Sequence, residues 1–386
     1  PLDLQSYSYT ASGLTPGNTY YYRVAATNTE GTDWADSTQS FVAESAINQT
    51  SGYLVFHTDG PTPFWYSNDG SVGLGELQSL SWTDPESNTI EYNVTKFSFE
   101  HLNIGGDVRV SLIGKNPLHI DVTGDATISA NLDASGADGD DSSSQTTPTL
   151  GILGGGSGGS NNPDLHGTGP VHIVGATPYK SGGSRYKSGN LTGSGLVAGA
   201  APGGGSYGGA GGRPEPAGGT DGQGTHPISG QTYGSINLDA LLGGSGGGAG
   251  DTRTGGAGGG AIKITSGGTL TMGGSIYTKG GIGGSGSTYS DRSGGSGSGG
   301  SIYLKAQHLV INSGVNIQAD GGAGASGVNA DETNYATDGG GEGPAGGGGG
   351  RIYLEGTSSF VNHASATNAN ISAKGGVSMA NSGTPR

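Results

Sequence analysis

The chain has no cysteine, so neither disulfides nor thiolate metal sites can hold it together. Charge is also scarce: Asp, Glu, Lys and Arg make up 12% of its 386 residues. What charge there is leans acidic, with 31 acids against 16 bases and a net charge of −15. Such a surface repels a phosphate backbone, which argues against a nucleic-acid partner. No window holds 18 apolar residues, so no helical membrane insertion is expected. No signal-peptide pattern opens the sequence. It starts in mid-pattern at Pro1-Leu2-Asp3, as expected of a processed subunit or an excerpt of a longer protein. Apolar residues reach only 31%, too few for one large globular core.

Glycine is abundant instead, at 85 residues. Full disorder would need low hydrophobicity with high charge. Here short apolar segments of β type recur along the whole length. The expectation is an all-β protein of fibrous or solenoid type, with essentially no helix.

Three units can be read. Residues 1–43 hold "YSYTASGLTPGNTYYYRVAATNTEG", where Tyr20, Tyr22 and Val24 alternate with Tyr21, Arg23 and Ala25, as a strand demands. Pro16-Gly17 supplies a turn before it. Residues 44–115 concentrate aromatic side chains, among them Phe56, Trp65, Trp82, Tyr92, Phe97 and Phe99. They are expected to form an aromatic, β-rich cap at the head of the third unit.

Residues 116–386, the third unit, carry a degenerate repeat. The first copy runs from Pro117 through "LHIDV" to Gly136. The others begin at "AIKI" (Ala261), "SIYL" (Ser301) and "RIYL" (Arg351). Ile262 and Ile302 are 40 residues apart, and Ile302 and Ile352 are 50 apart. Constant strands with variable insertions are the mark of a stacked solenoid, expected here as right-handed and parallel. Ile262 and Ile264 would stack on Ile302 and Leu304. Two partial rungs are expected between the first and second copies, near Val171–Val174 and Ser235–Leu238.

Within the insertions glycine often falls at every third position, as at Gly205, Gly208, Gly211 and at Gly340, Gly343, Gly346, Gly349. That period matches polyproline II, with three residues per turn and no internal hydrogen bonds. Glycine edges would let such helices lie side by side. The insertions are therefore expected to be ordered polyproline-II excursions.

Residues 1–43 resemble the last three strands of a fibronectin type III domain, on the strength of Leu14-Thr15-Pro16-Gly17 before Tyr20–Asn28. The first four strands of that domain are absent, leaving an open edge at Tyr7, Tyr9, Tyr20, Tyr22 and Val24. Residues 44–386 resemble very large bacterial surface proteins that join fibronectin-type modules to "TGDATISANLDASG" and "GGGGRIYL" strands. More distantly, the glycine runs resemble the glycine-rich domain of the anaplastic-lymphoma-kinase receptors. These resemblances imply an extracellular or cell-surface structural role in a filament, with copies of the chain or neighbouring domains as partners. They carry over no catalytic residue.

A few residues suggest other chemistry. Asp133, Asp138, Asp140 and Asp141 are candidate Ca²⁺ ligands, since closely spaced aspartates offer hard oxygens. No other cofactor is expected. Tyr277, Tyr303 and Tyr353 follow isoleucine in three repeats and are read as a repeat ladder. They suggest an alternative role as a carbohydrate-binding adhesin module with surface glycans as partners. A polysaccharide lyase would need acids beside a basic residue. Lys263, Lys305, Arg351 and Glu355 read as isolated outward positions, and His119 and Asp121 as alternating ones. The expectation is therefore a non-enzyme.

Overall fold

The computed structural model describes residues 19–42, 45–83, 89–141, 147–160, 167–170, 204–212, 232–250, 253–285, 293–325, 345–363 and 371–377. Within them the protein is all-β, without helix. The expected partial rung near Val171–Val174 lies outside the described residues, as do Tyr7 and Tyr9.

Two small antiparallel pairs come first. Strand β1 (Thr19–Tyr22) pairs with β4 (Gln39–Val42), and β2 (Ala25–Asn28) with β3 (Gly31–Trp34). Among residues 19–40 the side chains are exposed apart from Tyr20, which is half-buried.

The principal sheet has ten strands. It starts with β5 (Ser45–His57), β6 (Phe64–Ser67), β7 (Val72–Leu74), β8 (Glu76–Thr83) and the long β9 (Thr89–Ile113). Next come β10 (Leu118–Val122) and β11 (Ala126–Ile128), then β13 (Ala261–Met272), β15 (Ser301–Ile311) and β17 (Arg351–Asn362). From β9 to β17 the neighbours are parallel and in register: Phe97, Ile120, Ile264, Leu304 and Leu354 stand in one ladder. Strands β6, β7 and β8 pair antiparallel at the other end.

A second sheet stacks four very short strands: β12 (Leu132–Asp133), β14 (Ile276–Tyr277), β16 (Ile317–Gln318) and β18 (Ile371–Ser372). Its inward side chains Leu132, Ile276 and Ile317 meet Ile262, Leu270, Ile302 and Leu309 of the large sheet in one fully buried core. Alternation sends every second residue inward, so the short "IKI" and "IYL" runs suffice.

Two expectations need correction. Strand β10 pairs directly with β13, so no rung intervenes between the first and second copies. Residues 235–238 form a turn, and Leu238, Leu241 and Leu242 pack with Tyr92, Val94, Tyr207 and Tyr233 over the outer face of the large sheet. Tyr277, in turn, does not share a ladder with Tyr303 and Tyr353. Its neighbours are Asp133 and Gln318, and the residue level with Tyr303 is Lys263.

The glycine segments form a third, bonded layer. Along residues 255–260 the backbone N–H groups rotate through three neighbours. Gly255 and Gly258 donate to Gly159 and Gly156, Gly256 and Gly259 to Gly295 and Ser298, and Ala257 and Gly260 to Ala137 and Ala134. Partner choice thus repeats every three residues. The strands touch backbone to backbone: a Cβ on Gly300 would lie 1.8 Å from the carbonyl oxygen of Gly260. Only glycine fits such contacts, and the buried amides are satisfied without a sheet.

Candidate functional site

The outward face of the large sheet gathers the polar residues that lie between inward apolar ones. Register places Lys96, His119, Lys263, Tyr303 and Tyr353 in one row and Ser98, Asp121, Thr265, Lys305 and Glu355 in the next. Residues that look isolated in the sequence therefore stand side by side. Lys96 and Thr265 join them although the sequence gives no hint of either. Only strand register reveals them.

The contacts are close. Lys96 Nζ lies 2.6 Å from Asp121 Oδ2. The Thr265 hydroxyl donates to Asp121 Oδ1 at 2.5 Å, and His119 Nε2 lies 3.0 Å from the same hydroxyl. Thr265 has one proton, and Asp121 receives it. The hydroxyl must then accept from His119, which fixes that imidazole as the Nε2–H tautomer. Further along, Lys305 Nζ is 3.1 Å from Glu355 Oε2, and the Tyr353 hydroxyl donates to the same oxygen at 2.7 Å. Tyr303 and Tyr353 stack with ring centroids 4.7 Å apart. Lys263 Nζ sits 5.0 Å from the Tyr303 centroid, in cation–π range.

These neighbours set the charges. Burial drives His119 down to about 3, with the Lys263 and Lys96 ammonium groups adding to the effect and Asp121 opposing it. Burial alone would raise Asp121, but the hydrogen bonds from Lys96 and Thr265 hold it below the usual carboxylate range. Burial lowers Lys263. Hydrogen bonds from Tyr353 and Lys305 lower Glu355, while Glu355 raises both of them.

A shallow groove of about 600 Å³ opens beside this cluster, lined by Asp121, Thr123, Thr265, Ser266, Lys305 and Gln307 among others. It offers hydroxyls, a carboxylate, an amide and an ammonium group to a polar ligand. It is a poor setting for nucleophilic catalysis. Thr265 already gives its proton to a carboxylate that Lys96 makes a weak base, and His119 donates to Thr265 rather than accepting from it.

The aspartates of the acidic stretch also make hydrogen bonds with nearby groups of the chain. Asp138 Oδ1 accepts the Ile282 N–H at 2.7 Å, and Asp141 Oδ1 accepts the Ser285 N–H at 2.5 Å. Asp133 accepts the Ser135 N–H two residues on, and the Asp140 N–H donates to Thr254. Among the described residues no three His, Cys, Asp or Glu side chains converge as a metal would require. Of the expected assembly edge, Tyr20 is half-buried, while Tyr22 and Val24 are 50% and 61% exposed.

No family model, curated protein or solved structure matches the chain.

Proposed function

We propose that the chain is a structural segment of an extracellular bacterial fibre or giant surface protein. In this reading it is a right-handed parallel β-solenoid braced by polyproline-II glycine strands, with a fibronectin type III-like half-domain at residues 1–43. Its work is mechanical. Stacked rungs carry load through backbone hydrogen bonds, and the glycine layer stiffens one side without bulky side chains. Copies of the chain, or neighbouring domains of a longer one, are its partners. The open edge of the first unit serves assembly by strand addition.

The observation that carries this reading is the three-way rotation of donors along residues 255–260. A slack linker would have no fixed partners. Ordering each residue costs about 1–2 kcal/mol, so a layer this long persists only where its bonds repeat in register. Negative-stain imaging of the native material is the test. Regular filaments support the reading, and a monodisperse soluble particle at all concentrations overturns it.

The groove beside Asp121 and Lys305 favours a second reading, a carbohydrate-binding adhesin module. Its hydroxyl, amide and charged lining suits surface glycans, and the flat Tyr303–Tyr353 stack lies on the same sheet face. A glycan array separates the two readings. The candidate Ca²⁺ role of Asp133, Asp138, Asp140 and Asp141 is tested by calorimetric titration, where no heat of binding ends it.

A further inference from the structure

A line of irregularities crosses the large sheet. Strand β10 stops at Val122, and β11 resumes only at Ala126. Level with that break, the pairing of β13 with β15 shifts between Ser266 and Thr269. The pairing of β15 with β17 shifts between Ala306 and His308. Residues at such shifts fall out of the ladder, and their side chains are re-aimed. Thr123, Gly267, Gln307, Thr357 and Ser358 stand along this line, and all are exposed. The groove of about 600 Å³ follows it. Its lining comes in turn from β10 and the residue after it, from β13, from β15 and from β17. The long axis of the groove therefore runs across the strands rather than along one.

Length, charge and hydrogen bonding narrow what fits there. Four neighbouring strands with a spacing of about 4.8 Å give the groove a span of about 14 Å. The spacing is close to the advance of one sugar in an extended, β-linked hexopyranose chain. Successive sugars would meet successive strands in equivalent positions. The charges of the groove are already balanced by ion pairs, Asp121 by Lys96 and Lys305 by Glu355. The chain as a whole, at −15, repels a polyanion. An uncharged ligand is therefore favoured.

The hydrogen-bonding groups suit sugar hydroxyls. Gln307 brings an amide that both donates and accepts, and Ser358 brings a hydroxyl that does the same. The Lys305 side chain is 42% exposed, and its ammonium group has donors beyond the one that Glu355 uses. An extended peptide fits less well, because peptides join a sheet along a strand edge and this groove crosses the strands. Tyr303 takes no part in the site. Lys263 and Tyr353 flank its ring, so no sugar can stack on it.

We infer that the groove binds an uncharged, extended β-linked polysaccharide laid across the strands, with Lys305, Gln307 and Ser358 gripping its hydroxyls. This site rests on the carbohydrate-binding reading and gives it a place, a ligand class and a direction.

Calorimetric titration of the full chain with cello-oligosaccharides, from the disaccharide to the hexasaccharide, tests it. Malto-oligosaccharides, which are α-linked and curved, and acidic oligogalacturonates serve as controls. Affinity for the cello series should rise with length and level off near about four sugars, one for each strand crossed. Both controls should bind about tenfold more weakly or not at all. Gln307→Ala should weaken binding about five- to tenfold, the worth of one or two hydrogen bonds. Ser358→Ala should weaken it as well, by a smaller factor. Both positions are exposed, so the melting curves of the variants should match that of the parent. Equal binding of all three glycan series, or parental affinity in both folded variants, overturns the site. A glycan array separates it from the broader reading. Array binding that neither variant weakens leaves a carbohydrate-binding module standing and removes this groove, while an array without any binding removes both.

Discussion

The hydroxyl of Thr265 donates to the carboxylate of Asp121 across a separation of 144 positions in the chain. The offset recurs. Thr269 N–H donates to Asp125, Ser275 to Asn131, Ile282 to Asp138 and Ser285 to Asp141, each with the same separation. The chain thus leaves after the first copy and returns in unbroken register. Short polar side chains of the earlier segment hold the backbone of the later one, and this fixes the alignment that the glycine layer, having few side chains, does not.

Gly297→Ala should destabilise the protein. Its Cβ would lie 2.0 Å from the carbonyl oxygen of Ala257. Overpacking against backbone costs about 1–3 kcal/mol and sometimes more. Gly375→Ala is the control, because its nearest neighbour is an ordinary 3.6 Å away. Thermal melts should show a clear drop for the first and little change for the second. Equal melts would mean that the layer is not packed this tightly.

Ile302→Ala removes the middle of the ladder Ile262–Ile302–Ile352, where the first two residues are fully buried. The expected loss is about 2–5 kcal/mol. Denaturant titration measures it, and Phe360→Ala at the exposed end should cost far less.

His119 should make the fold acid-sensitive. It stays neutral in the folded protein down to about 3, whereas the unfolded chain takes up a proton near the ordinary value of about 6.5. Between these values the unfolded state binds more protons, so stability falls as pH falls from about 6.5 towards 3. Lys96, Lys263, Asp121 and Thr265 face the ring. His119→Gln keeps a donor for Thr265 and should flatten this limb of the stability–pH curve. An unchanged slope would refute the assignment.

Tyr207→Phe tests the cover over the sheet. The Tyr207 hydroxyl lies 2.6 Å from the Ser301 hydroxyl, which itself donates to the Leu242 carbonyl, so Tyr207 is the donor between them. The ring is fully buried, and burial pushes its hydroxyl up to about 12. Losing this bond leaves Ser301 short of a partner at a cost of about 1–3 kcal/mol. Melting of the variant measures it.

Much of the strand pattern was legible in the sequence. "SIYL" and "RIYL" repeat an alternation that only a strand satisfies, and the pairing of Ile302 with Ile352 follows from it. The direct adjacency of β10 and β13 was not legible. "LHID" and "AIKI" share only the apolar alternation, and a long insertion separates them. Tyr277 misled for a related reason. Ser275-Ile276-Tyr277 imitates Ser301-Ile302-Tyr303, yet it is followed by Thr278 and then Lys279 instead of a second inward apolar residue, and it folds into the smaller sheet. The polar cluster was hidden because cross-strand neighbours are set by register. Lys96 and Thr265 meet Asp121 only once three strands are aligned.

The bonded glycine layer has a spectroscopic consequence. Its strands follow no helix or sheet pattern, so far-ultraviolet circular dichroism would count them as unstructured chain. Their amides are nevertheless buried and bonded to fixed carbonyls, as Gly256 is to Gly295 and Gly259 to Ser298. Deuterium uptake by these amides should be as slow as in the core strands. A sample that looks half unfolded to one instrument would look fully folded to the other.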